Sequence, residues 1–202
     1  MKLLFPCSIL LMTAICVYGF GLNSKWNIFG RRDIVSFDKT ATARQIHEFF
    51  MEMALAEATK AAQKDEVPIG ALVVKDMGQK TYRILGRGGN RVETKWDASA
   101  HAEMQAMRQA ARRAKNWRLL NTTLYSTLEP CPMCLAACQA FRVHSLVYGA
   151  PDLRLGAVET HIRLLESPHP YHNLSSVVKG VRSNSSSQLM KNFFFQRRKK
   201  RR

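Results

Sequence analysis

The sequence predicts an α/β fold, a three-layer α/β/α sandwich with helices on both faces of a central mixed sheet of about five strands. Three observations carry that prediction. Beyond Thr42, short apolar runs with the look of strands take turns with segments of helical period. One helical segment carries alanine at every fourth position, a slim face suited to close packing on a sheet. The length of 202 residues is enough for one domain with a proper core plus extensions. Strands alternating with helices bury both faces of a single sheet.

The elements follow in order. From Ala43, the spacing of Ile46, Phe50, Met53, Leu55 and Ala58 is helical and ends near Lys64, ahead of Pro68. "IGALVVK" and "TYRILGRG" read as two strands joined by a turn at Asp76, Met77 and Gly78. His101 to Ala114 reads as a helix, with Ala102, Ala106, Ala110 and Ala114 forming its slim face. "TTLYST" is a strand, "CPMCLAACQAFR" a helix and "HSLVYGA" a strand. "AVETHIRLLE" is expected to be helical, "SSVVKGV" a further strand and "SQLMKNFFFQRR" the last helix.

The formal net charge is +16, and it is unevenly placed: no Asp or Glu follows Glu166, while Lys179, Arg182, Lys191 and the terminal "RRKKRR" do. A polyanion is the partner such a surface suits, and a solvated basic tail or nuclear address is the alternative reading.

The start, "MKLLFPCSILLMTAICVYG", has a short basic beginning, an apolar run too short to span a membrane comfortably and a small residue at Gly19. Residues 1–19 therefore read as a cleavable signal peptide. Residues 20–41 begin with Phe20, contain Ser and Thr, and are richer in Lys and Arg than in acids. The two parts together resemble the bipartite presequence of algae with secondary plastids, in which a signal peptide precedes a transit peptide with an aromatic first residue. That resemblance implies plastid import, with the mitochondrion as the alternative, and no stable membrane association once the presequence is gone.

Loss of the leader removes Cys7 and Cys16 and leaves Cys131, Cys134 and Cys138, an odd number within eight residues. This is a poor disulfide framework and a good metal cluster. Cys131 and Cys134 are three apart, so on a helix they share a face, and Pro130 suits the start of that helix. A helix N-terminus also favours thiolate over thiol. Alone, the pair reads equally as a redox couple or as buried cysteines. "HAE" upstream adds an imidazole, His101, and two thiolates plus one imidazole leave a tetrahedral Zn²⁺ one open position. Zinc lowers the pKa of water from ~16 toward ~7 and so supplies a nucleophile at neutral pH. Glu103 is not needed as a ligand and suits a general acid/base. Because positions i and i+2 lie on different faces of an ideal helix, His101 is expected at the first turn, reaching along the axis, with Glu103 turned inward. His101, Glu103, Cys131 and Cys134 match H-x-E…P-C-x-x-C, the signature of zinc deaminases.

From about Thr42 to Arg198 the chain resembles the bacterial-type tRNA-specific adenosine deaminases of the cytidine deaminase-like superfamily. The shared stretches are "EVPIGALVV", "GNRV", "DASAHAEMQAMRQA", "NWRL", "TLYSTLEPCPMC", "VYGAPD", "HPYH" and "FFFQRR". The resemblance makes residues 42–202 a zinc-dependent deaminase domain with a basic C-terminal helix. It implies one Zn²⁺ held by His101, Cys131 and Cys134, with Glu103 as proton shuttle. It further implies that Asn90 hydrogen-bonds the target nucleoside and that Asp152 approaches the ribose-phosphate of a neighbouring nucleotide. Arg154, Arg197 and Arg198 would hold phosphates, and Phe194 would stack on a base or simply pack. The implied reaction is hydrolytic: Glu103 carries a proton to the adenine ring, water adds at the amino-bearing carbon, ammonia leaves, and adenosine becomes inosine. The implied substrate is the anticodon stem-loop of a tRNA, edited at the first anticodon position, in an arginine tRNA, and the implied assembly is a homodimer. Two readings compete: a free guanine- or cytosine-type base or nucleoside deaminase, and a non-catalytic zinc-stabilised RNA-binding subunit. After "GAPD" the chain departs from the family, with "LRLGAVETH" where relatives carry small polar residues. Cys138 lies one turn further along and is expected to be buried structure.

Overall fold

Side chains of the central strands alternate between two apolar layers, which is why a single sheet needs helices on both faces. The computed structural model describes residues 26–27 and 33–200. In β3 (Gly70–Asp76), Ala71 and Val73 face one layer while Leu72 and Val74 face the other. Leu124 and Tyr125 of β5 (Thr122–Leu128) divide in the same way, as do Leu146 and Val147 of β6 (Ser145–Ala150). That is the period of two that strand geometry imposes.

One layer is closed by α1 (Ala43–Ala62), whose Ile46, Phe50, Met51 and Ala54 are buried against Leu72, Tyr125 and Val147. Thr42 caps this helix in a reciprocal pair with Gln45, the Gln45 N–H donating to Thr42 Oγ1 at 3.2 Å and the Thr42 N–H to Gln45 Oε1 at 2.9 Å. The other layer is closed by α3 (Ala102–Ala114) and α4 (Pro132–Ala140). Of the predicted alanine stripe, Ala102, Ala106 and Ala110 are fully buried, and Ala114 is exposed at the helix end. The stripe meets glycine on β4 (Thr81–Gly89): a Cβ on Gly86 would lie 2.1 Å from the Ala106 carbonyl, and one on Gly88 2.2 Å from that of Ala102. Alanine against glycine brings helix and sheet together with no intervening side chain.

All five expected strands are present, the last as β7 (Ser176–Val178). Two more precede them, β1 (Trp26–Asn27) and β2 (Ile34–Phe37), to give the order β1-β2-β4-β3-β5-β6-β7. The β5-β6 and β6-β7 pairs are parallel and the others antiparallel, so the sheet is mixed as expected. β2 lies in the stretch expected to be presequence. Val35, Phe37 and Ala41 are buried, and Phe37 packs edge-on against Phe49, Phe50 and Tyr82. Folded structure thus begins before residue 42. The expected signal peptide, residues 1–19, lies outside the described residues.

Two expected elements differ in the structure. The expected helix over 157–166 is a run of turns ending in a 3₁₀ turn at Leu164–Glu166, because the N–H groups of Val158, Glu159 and Thr160 at its start bond a buried carboxylate. The cysteine helix forms within the expected stretch, as Pro132–Ala140 with Cys131 as its N-cap. The last helix, α5 (Ser183–Lys200), begins four residues earlier than "SQLMKNFFFQRR" suggests.

Candidate active site

Two helices begin at the same place. His101 is the N-cap of α3 in extended conformation, φ −63° and ψ 154°, and Cys131 is the N-cap of α4, φ −71° and ψ 169°. Standing outside the helical turn, His101 is free to point along the axis while Glu103, at the second helical position, turns into the protein. That is the arrangement expected from the sequence. Both N-termini direct the positive end of a helix dipole at the two sulfurs, a field that favours thiolate.

His101 Nδ1 lies 3.5 Å from Cys131 Sγ and 3.5 Å from Cys134 Sγ, and the three ligand atoms lie within 4.8 Å of one another. With Zn–S of about 2.3 Å and Zn–N of about 2.0–2.1 Å, a tetrahedral ion separates nitrogen from sulfur by roughly 3.6 Å. The cage therefore fits zinc in both donor type and spacing. The Cys134 contact, ahead of the one from His101, pulls the Cys131 thiol down to about 4 in spite of its burial. The same contact, together with burial, pushes Cys134 up, and the hydrogen bond with Cys131 raises His101 above the usual histidine value. Cys138 is fully buried in the apolar layer and is not part of the cage.

Glu103 is 4% exposed, and Ser126 Oγ donates to its Oε1 at 3.3 Å. Burial, more than the nearby Cys131 charge, raises its pKa above the ordinary carboxylate value.

Asn90 follows β4 and is 5% exposed; its Nδ2 donates to Glu66 Oε2 at 3.1 Å. Glu66 also accepts from the N–H groups of Glu93 and Thr94 at 3.3 and 2.7 Å, and from Thr94 Oγ1 at 2.7 Å. Burial pushes Glu66 up, and these bonds, led by Thr94, outweigh it and hold the carboxyl below its ordinary value. One buried carboxylate thus fixes both Asn90 and the short helix α2 (Val92–Lys95). The Arg91 N–H donates to the Ala100 carbonyl at 3.0 Å, tying the residue after Asn90 to the residue before His101.

Asp152, Arg154 and Arg198 line one groove of about 570 Å³ at the C-terminal ends of β5 and β6, with Phe194 in its α5 wall. Arg154 Nε is 3.8 Å from Asp152 Oδ1. Arg197 is not in the groove's wall: it pairs with Asp65 at 3.1 Å and its guanidinium lies 5.3 Å from the centre of the Phe193 ring. Phe194 is half-buried and edge-on to Phe193 at 5.3 Å, so it packs while still lining the groove.

Sequence reasoning missed Glu66 and Glu129. Glu129, just ahead of Pro130, is 2% exposed and folds the 152–160 loop around itself. It accepts from the N–H groups of Asp152, Val158, Glu159 and Thr160 at 2.9–3.2 Å. Burial raises its pKa, and these bonds, led by that from Glu159, bring it below the ordinary value. A Cβ on Gly156 would sit 2.4 Å from its carboxylate. The available signal was an acid beside a proline within a stretch otherwise destined for burial, in "EVP" and "LEP".

Residues 44–150 match the cytidine and deoxycytidylate deaminase zinc-binding region. A chloroplastic tRNA(adenine(34)) deaminase of Arabidopsis thaliana is 43% identical over 76% of this chain, which spans only 12% of that protein's length. A tRNA-specific adenosine deaminase of Agrobacterium fabrum is 41% identical over 74% of this chain and 94% of its own length. A solved structure from biochemical and structural studies of A-to-I editing by tRNA:A34 deaminases at the wobble position of transfer RNA superposes with a TM-score of 0.64 at 41% identity. It covers 70% of this chain and 98% of its own. With the cage, the buried carboxylate and these matches in place, the chain belongs to the zinc-binding cytidine and deoxycytidylate deaminase family, among the tRNA-specific adenosine deaminases.

Proposed function

We propose that this chain hydrolytically deaminates the adenosine at the first anticodon position of a tRNA to inosine, with an arginine tRNA as the substrate. The observation that carries the reading is a three-ligand cage beside a buried carboxylate that no ligand role consumes. His101, Cys131 and Cys134 would hold Zn²⁺, which would supply an acidified water. Glu103 accepts a proton and returns it to the ring nitrogen of the target base. Asn90, clamped by Glu66, offers its remaining amide oxygen and N–H to the nucleoside. Asp152, Arg154 and Arg198 receive the neighbouring ribose-phosphates in the α5 groove, while Arg197, held by Asp65, supports the helix from its other side. An unpaired anticodon loop presents its bases at low cost, whereas flipping one from a duplex costs a few kcal/mol.

The same reading includes a homodimer and a plastid address. Met133, Ala136 and Ala140 on the outer face of α4, with Leu153 and Leu155 beyond β6, are exposed and offer apolar surface to a second copy. The chloroplastic relative supports import. No helix of the described residues is long and apolar enough to cross a membrane. The address is residues 1–19 followed by a transit segment that ends before the folded strand β2.

The test is to incubate purified protein with an anticodon stem-loop transcript and map inosine. Wild-type protein forms inosine at the first anticodon position, and Glu103→Ala loses turnover by roughly 10²- to 10⁴-fold while metal analysis still finds zinc. Unchanged RNA alongside consumption of free guanine or cytosine overturns the tRNA assignment.

A further inference from the structure

A second cleft, of about 430 Å³, runs from Asn90 along the outer edge of β4 between α1 and α3. Its walls carry Lys60, Lys64, Arg87, Arg91, Lys95 and Arg112 against a single carboxylate, Glu57. Glu57 is engaged by Lys60 at 2.8 Å. Among the described residues, Lys64, Arg87, Arg91 and Arg112 make no ion pair, and Lys95 bonds only the neutral Gln105 at 2.8 Å. Unneutralised cations converging on a concave surface focus a positive potential there.

Among the described residues, β2 covers only the first part of β4, from Thr81 to Arg83. It pairs with Thr81, Tyr82 and Arg83 only, and the Ile84 N–H bonds the Asp33 carbonyl, so no strand covers β4 from Leu85 to Gly89 among the described residues. Gln109 of α3 takes the place of a strand at Arg87, its Oε1 accepting the Arg87 N–H at 2.7 Å. A bare strand edge with a charged rim resists pairing with another strand.

Position decides what such a surface receives. The α5 groove lies beyond β6 and the basic cleft along β4, with β3 and β5 between them in the sheet. A polynucleotide with one base in the metal pocket has two flanks to place. We infer that the basic cleft holds the phosphodiester backbone of the RNA substrate on the flank opposite the α5 groove, with Arg87, Arg91, Lys95 and Arg112 as its phosphate contacts. This rests on the RNA reading above. Trp96 follows Lys95 at the tip of the loop closed by the Arg91–Ala100 bond. Its indole is 95% exposed on a backbone of φ +53°, a stacking surface held next to that phosphate track.

The test compares the full chain with Arg87→Gln/Arg112→Gln and with Lys39→Gln/Arg83→Gln, a control of equal charge loss at exposed cations that line neither groove. Anisotropy with a labelled anticodon stem-loop is measured from 50 to 200 mM salt, with zinc content and sedimentation as checks. The cleft variant is expected to bind roughly ten-fold more weakly near physiological salt, with a salt slope shallower by about one to two, while the control stays near wild type. Equal losses in both variants, or none in the cleft variant, overturn the inference. So does a loss accompanied by a change in sedimentation, which makes the cleft an interface between copies. If the cleft variant shows the shallower slope while wild-type protein forms no inosine, the cleft stands and the deaminase assignment falls.

Discussion

Glu66 shows how much of a site is carried by residues that do no chemistry. Its carboxylate collects donors from Asn90, Glu93 and Thr94, so Glu66→Ala leaves several of them without a partner. Each orphaned buried donor costs about 1–3 kcal/mol, and denaturant unfolding of Glu66→Ala is expected to show a loss in that range or above it. Because Asn90 loses its clamp, KM for the RNA should rise more than kcat falls, a split that a general loss of stability would not produce. Glu103, His101 and the cysteines were legible in the sequence because they form two short motifs, H-x-E and P-C-x-x-C, whose residue types and local spacing point to metal chemistry. Glu66 was not, since its partners lie 24–28 residues away and a lone glutamate carries no sign of its fate.

At the scale of elements, legibility follows local period. The alanine stripe of α3 announced a helix lying close to the sheet, and the glycines of β4 supply the other half of that contact. Gly86→Ala would drive a methyl against the Ala106 carbonyl and push α3 outward. Overpacking of this kind costs about 1–3 kcal/mol or more; the same substitution at Gly78, with nothing within 4 Å but a φ of +86°, reports backbone strain alone. Thermal unfolding of the two variants should separate close packing from turn conformation, with zinc affinity lowered only in the first because α3 carries His101. The 157–166 segment misled because its apolar spacing is helical while its first N–H groups, those of Val158, Glu159 and Thr160, belong to Glu129. That carboxyl has a lowered pKa in the fold, so its contribution is complete above the ordinary carboxylate value of about 4.3. It is lost as pH falls through the folded value. Hydrogen exchange should therefore show amides 158–160 losing protection in acid before those of β5, and Glu129→Gln should lose that protection already at neutral pH.

For the molecule as a whole, the sandwich could be read from the alternation of elements, but its edge could not. Residues 33–41 have the composition of an address, with Ser, Thr and basic residues close by, and only tertiary pairing shows that Ile34–Phe37 completes the sheet beside β4. Composition reports what a segment is made of, whereas burial of Val35, Phe37 and Ala41 depends on α1 and Tyr82 arriving from later in the chain. Burying a Val or Phe side chain contributes about 1.5–3 kcal/mol, so the pair supplies roughly 3–6 kcal/mol to a domain whose net stability is on the order of 5–15 kcal/mol. Two truncations therefore differ sharply. A chain starting at Gly30 should unfold at the same denaturant midpoint as the full chain, and one starting at Thr42 should lose a third or more of its stability and expose the aromatic cluster of Phe49, Phe50 and Tyr82 to a hydrophobic dye. N-terminal sequencing of the protein recovered from its native cells should accordingly begin upstream of Ile34. A mature start at residue 42 with undiminished stability would show that the edge strand contributes nothing to the fold.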